Sequence, residues 1–133
     1  MSVNNKQKID NHTPYKFDVS DLPTCEYSVM LQLSDNIKYS WNSYCNFKEK
    51  LIVIIVNKNI TYPHKRIIWY RSQYIKTRHE IKKYGKIVNF KNPIEIMRFA
   101  YCYEIGHYIE SRYGNYLYYR LKANRFALKY FRK

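Results

Sequence analysis

Six consecutive β-branched or aliphatic residues, Leu51-Ile-Val-Ile-Ile-Val56, constrain this chain more than any other stretch. A strand without a polar position has no face to give to water, so it belongs inside a sheet and covered on both sides. Two downstream segments can supply cover. Asn92-Pro93-Ile94-Glu95 is a helix start, with Asn as the cap, Pro where its missing N–H costs nothing, and Glu placed to reach back. The segment from Pro93 to Ser111 carries Ile96, Phe99, Ala100, Tyr103, Gly106 and His107 along one face. Met97, Tyr101, Ile105, Tyr108 and Ile109 fill much of the rest, as in a buried helix. Gly114-Asn115 ends it, and a second helix is expected from Tyr116 to Phe131. Leu117, Tyr119, Leu121, Leu128 and Phe131 belong to its apolar face, whereas Lys122, Arg125, Lys129 and Arg132 recur about one turn apart on the other.

The rest of the chain is patterned less clearly. From Tyr27 to Leu33 the pattern suits a strand or a short helix, and Ser34-Asp35-Asn36 is a turn signal. Ile37 to Trp41 alternates and predicts a strand. Between Lys65 and Tyr84, Ile67, Ile68, Tyr74, Ile75 and Ile81 recur close to helical spacing, with Gly85 following as a residue that ends helices. A helix is expected there, with a strand over Ile67–Tyr70 as the competing reading. Lys86 to Phe90 is a short strand leading into the Asn92 cap. Residues 1–24 are polar, with Pro14 and Pro23, and suit a loose arm or a strap over a single domain spanning residues 25–133. The expected class is α+β, with a small sheet containing Leu51–Val56 and two packed C-terminal helices.

The net charge is +14, unevenly placed: residues 1–36 hold three Lys against five Asp or Glu. A basic body of this kind favours polyanions or an acidic protein surface. No run of about 18 apolar residues predicts a membrane span. The N-terminus lacks an apolar signal core, so a cytoplasmic location in a host cell is expected. Cys25, Cys45 and Cys102 are odd in number, lack Cys-x-x-Cys spacing, and suit free thiols in a reducing compartment. The sixteen tyrosines fall largely on expected buried faces, where each hydroxyl needs a partner.

Tyr103-Glu104-Ile105-Gly106-His107 places Glu104 and His107 one helical turn apart, within reach of one cavity. The run from Met97 to Ile109 resembles the active-site helix of the ImmA/IrrE family of zinc metallopeptidases, in which an Arg-Phe lead-in runs into His-Glu-Leu-Gly-His. Lys122-Ala-Asn-Arg-Phe-Ala127 resembles that family's Glu-Ala-Asn-x-Phe-Ala, whose Glu is the third zinc ligand. The likeness covers about the last third of the chain and implies a zincin-like fold. It places Glu104 at the general base and His107 at a ligand, with Tyr103 and Lys122 at the other two ligand positions. A catalytic zinc needs about three protein ligands and an open position for water. Tyrosine binds metal only as phenolate, against a pKa near ~10, and a Lys ammonium repels a dication.

No catalytic residue, zinc or other cofactor is therefore expected, with Glu104 and His107 as vestiges. The resemblance then implies a non-catalytic binding protein. Family members sit largely in phages and mobile elements and act on repressors and stress regulators. A degenerate member could hold such a regulator, or a host defence complex containing nucleic acid, without cutting it. Two alternatives stay open: a zinc peptidase with altered ligands that cleaves a repressor, and a direct DNA- or RNA-binding protein. Candidate partner-binding cations are Lys122, Arg125, Lys129 and Arg132, with Lys82, Lys83 and Lys86. His79-Glu80 opens like the same motif but runs into Lys82 and Lys83, and suits a solvated basic helix face.

Overall fold

The computed structural model describes residues 7–110 and 116–132. The expected break at Gly114-Asn115 and the side chains of Ile109, Leu117 and Tyr119 lie outside the described residues. The fold is α+β. In chain order the elements are β1 (Ile9–Asn11), β2 (Ser28–Ser34), β3 (Trp41–Asn46), β4 (Leu51–Asn57), β5 (His64–Ile75), β6 (Glu80–Phe90), α1 (Pro93–Glu110) and α2 (Tyr116–Tyr130). Strands β1-β2-β4-β3 form one sheet in that order, and β5 and β6 form a separate two-stranded ribbon.

The Leu51–Val56 run lies inside the sheet, parallel to β2 and antiparallel to β3. Register puts Val29 and Leu31 of β2, Ile52 and Ile54 of β4, and Ser43 and Cys45 of β3 on one face. Helix α1 covers that face, and Val29, Leu31, Ile52 and Ile54 are all 0% exposed. The other face departs from the expected two-sided burial: Val53 is buried, but its neighbours Leu51 and Ile55 are only half-buried. The residues alongside them, Gln32, Asn42 and Tyr44, tolerate that partial wetting.

The alternating strand expected at Ile37–Trp41 forms later, at Trp41–Asn46. Trp41 then joins Phe90, Phe99 and Phe131 in a cluster of rings 5.3 to 5.9 Å apart, which ties β3, β6, α1 and α2 together. Part of the N-terminal segment is a strap. β1 extends the sheet by pairing parallel to β2, with Ile9 opposite Val29. Phe17 and Leu22 reach the core. Asp21 grips Arg98 of α1 at 2.7 Å, and the same guanidinium donates to the carbonyl of Phe131 at 2.8 Å.

The helix expected over Lys65–Tyr84 does not form. Those residues build the long β5–β6 hairpin, in register from His64 opposite Phe90 to Ile75 opposite Glu80, with an extra residue between Trp69 and Arg71. The turn is Lys76-Thr-Arg-His79, closed by Arg78 N donating to Ile75 O at 3.1 Å, with His79 at φ 51°. Gly85 does not end a helix. It sits mid-strand beneath Trp69, where an added Cβ would come within 2.8 Å of the indole and of Ile67.

Candidate functional site

Helix α1 begins as its sequence dictates: Asn92 Oδ1 accepts from the Glu95 amide at 3.0 Å, and Glu95 Oε1 accepts from the Lys91 amide at 2.8 Å. This fixes the helix phase, so Glu104 points at the sheet. Glu104 is 4% exposed, the one buried charged residue among those described. Its Oε2 accepts a hydrogen bond from Ser43 Oγ of β3 at 2.7 Å. Burial pushes its carboxyl up to about 7, and the Ser43 hydroxyl opposes that only in part. Cys45, two residues along β3 on the same face, has its thiol pushed up to about 12 by burial and by the neighbouring Glu104 charge.

His107 lies one turn further on, half-buried, and burial lowers its pKa. The Tyr103 and His107 rings are 6.1 Å apart. Helix α2 closes over this turn. An added Cβ at Gly106 would stand 2.9 Å from Phe126 Cβ, so the helix backbones approach closely there. Lys122, one turn before Phe126, is half-buried. Tyr103 and His107 thus flank Glu104 along α1, Lys122 lies on α2 one turn from the Gly106–Phe126 contact, and β3 adds Ser43 and Cys45. The sequence reading missed the last two because it placed the strand too early. The alternating Trp41-x-Ser43-x-Cys45 pattern was the available signal.

Zinc does not fit this donor set. Tyr103 offers a phenol, Lys122 an ammonium, and the carboxyl of Glu104 is directed at Ser43. Among the described residues, no three His, Cys, Asp or Glu side chains come together as a group that could hold a metal ion. No family model, curated protein or solved structure matches the chain. Among the described residues, no helix is long and apolar enough to cross a membrane.

The expected cationic row on α2 is uneven. Arg125 and Lys129 are exposed, and Lys122 is half-buried. Arg132 is committed to the fold, pairing with Glu95 at 3.0 Å and donating to the carbonyl of Asn89 at 3.0 Å. Although burial pushes the Glu95 carboxyl up, hydrogen bonds from Arg132 and the Lys91 amide hold it below its usual value. Lys82, Lys83 and Lys86 are all exposed, but they lie on a strand. Strand alternation puts Lys83 on the opposite face from Lys82 and Lys86. His79-Glu80 falls at the hairpin turn, not on a helix face, with Tyr74 Oη 3.2 Å from His79 Nδ1.

Proposed function

We propose that this chain is a non-catalytic binding protein on a degenerate metallopeptidase-like scaffold, encoded by a phage or mobile element. It acts by holding a regulator or a nucleic-acid-containing host defence complex. The observation that supports the reading is the burial of Glu104 against Ser43; the sequence resemblance adds that Tyr103 and Lys122 match the positions of that family's zinc ligands. A carboxyl so enclosed orders the helix against the sheet but offers no open position to water and substrate. The basic body supplies attraction for an acidic partner.

A second reading, a peptidase with altered ligands, draws on one observation. A carboxyl pushed up to about 7 is tuned as a general base would be at neutral pH. The test is capture from lysate with tagged wild type and Glu104→Gln. A stoichiometric partner recovered intact with both supports the binder. A partner cleaved by wild type and spared by Glu104→Gln overturns it in favour of the peptidase.

A further inference from the structure

The β5–β6 hairpin carries more surface chemistry than the fold uses. Its base is structural: Ile68, Val88 and Phe90 are buried in the core, and Asn124 of α2 donates to the carbonyl of Trp69 at 2.8 Å. Past the bulge at Trp69/Arg71 no third strand joins the ribbon among the described residues, and both faces are largely exposed. Pairing register then sorts its side chains. Ile67 lies opposite Ile87, Trp69 over Gly85, and Tyr74 opposite Ile81, so these form one strip on one face. The five large side chains of that strip are 42 to 67% exposed. The Ser72–Lys83 pair interrupts the strip between Trp69 and Tyr74, and exposed apolar groups gathered on one face in this way mark a surface that is covered in use.

Charge identifies what covers it. Residues 64–90 hold eight Lys or Arg against Glu80 alone, half of the chain's net charge of +14. These cations are not confined to a rim. Lys83 shares the apolar face; Arg71, Lys82 and Lys86 occupy the opposite face; Lys76 and Arg78 sit at the tip. Arg71 and Lys82 both lie against the Tyr84 ring, 4.6 and 5.2 Å from its centroid, which holds their charges together. A flat acidic protein surface would neutralise one face only, and a second copy of this chain would add like charge. A groove with phosphates on both walls surrounds the ribbon and meets both faces and the tip.

We propose that the β5–β6 hairpin is a docking arm that enters a groove of duplex DNA. A two-stranded ribbon matches the major groove, about 12 Å wide, whose floor offers thymine methyl groups to apolar side chains. Single strands suit the strip less well, because stacking needs ring faces and three of its five side chains are isoleucines. The arm names the partner class of the binding role proposed above and rests on that role only for its biological setting. Cleavage of a captured protein would overturn that role while leaving DNA binding in place, and loss of DNA binding would leave an intact protein partner standing.

The test is fluorescence anisotropy of the full chain with a labelled mixed-sequence DNA duplex of about 30 base pairs, over a salt series. We expect log affinity to fall linearly with log salt. Arg71→Gln/Lys82→Gln/Lys86→Gln should weaken binding more than tenfold and flatten that slope by about 3, close to one per lost phosphate contact. Arg125→Gln/Lys129→Gln on α2 should leave the slope unchanged. The substituted arm side chains are exposed, and an unchanged circular dichroism spectrum and unfolding midpoint confirm folding; Lys76→Gln/Arg78→Gln at the tip gives a second, independent reading. No binding at low salt, an unchanged slope in both arm variants, or loss with the α2 variant instead would overturn the proposal. So would competition by single-stranded DNA or duplex RNA as effective as that by duplex DNA.

Discussion

Replacing Glu104 with Gln should make the protein more stable at neutral pH, and the gain should vanish in acid. In the folded state burial pushes this carboxyl from 4.5 up to about 7, so folding favours the protonated form. Below the unfolded value both states are protonated and the group costs nothing. Between the two values the unfolded chain releases its proton first, and stability declines as pH rises. Above about 7 both states are ionised and the full cost is felt. At 1.36 kcal/mol per tenfold change in a proton equilibrium, that cost is about 3 kcal/mol. Glu104→Gln keeps an amide oxygen to accept from Ser43 Oγ but cannot ionise. Urea unfolding of both proteins from about pH 4 to about pH 8 isolates this group. Carboxyls held below their usual values, such as Glu95, contribute equally to both curves and cancel in the difference. The difference in unfolding free energy should grow by about 3 kcal/mol across the range, in favour of the variant. Parallel curves would refute the assignment of a buried, uncompensated carboxyl at this junction.

Two further substitutions probe the supports of the same site. Gly106→Ala forces a methyl onto Phe126 where the helices touch, and should cost about 1–3 kcal/mol by thermal or urea unfolding. Phe126→Ala keeps the Cβ that stands 2.9 Å away but removes the ring atoms at 3.0 and 3.1 Å, so the double variant should lose less than the two single losses added together; strict additivity would show that the ring does not press on the methyl. Arg98→Ala removes the grip on Asp21 and on the Phe131 carbonyl, at a cost of about 2 kcal/mol. Hydrogen exchange should then quicken across Ile9–Leu22 more than in β4. Uniform quickening would mean that Arg98 holds the whole domain and not the strap.

The parts legible from sequence were those with local chemical causes. The start of α1 is written into Asn92, Pro93 and Glu95, and their hydrogen bonds form as the residue types require. The interior strand at Leu51 was equally plain, because a run of only six residues, five of them β-branched, followed by the Asn57-Lys-Asn59 turn signal, favours a strand over a buried helix. The hairpin was hidden for two physical reasons. Its turn, Lys76-Thr-Arg-His79, has no Gly, Asn, Asp or Pro, and the left-handed position falls to His79. Beyond its base both faces are exposed, with Ile67, Trp69, Tyr74, Ile81 and Ile87 turned to solvent, so no inside/outside alternation marks the strands and the spacing imitates a helix. Glu104 was recognised from its spacing to His107, but its partner is 61 residues away on β3. A hydrogen bond of that range depends on sheet register, which no local pattern encodes.

The separation of the ribbon from the sheet has a consequence for how this chain can change. β5 and β6 are joined by a four-residue turn and, among the described residues, pair only with each other, so their ladder is local in sequence. Such a hairpin closes within microseconds, ahead of the parallel pairing of β2 with β4, which must wait for a longer loop to close. Its outer half can also open without loosening the ring cluster around Phe99. Substitutions beyond the bulge therefore carry little penalty for the body of the fold. The arm can be rewritten residue by residue for a new partner while the strap, sheet and helices stay as they are.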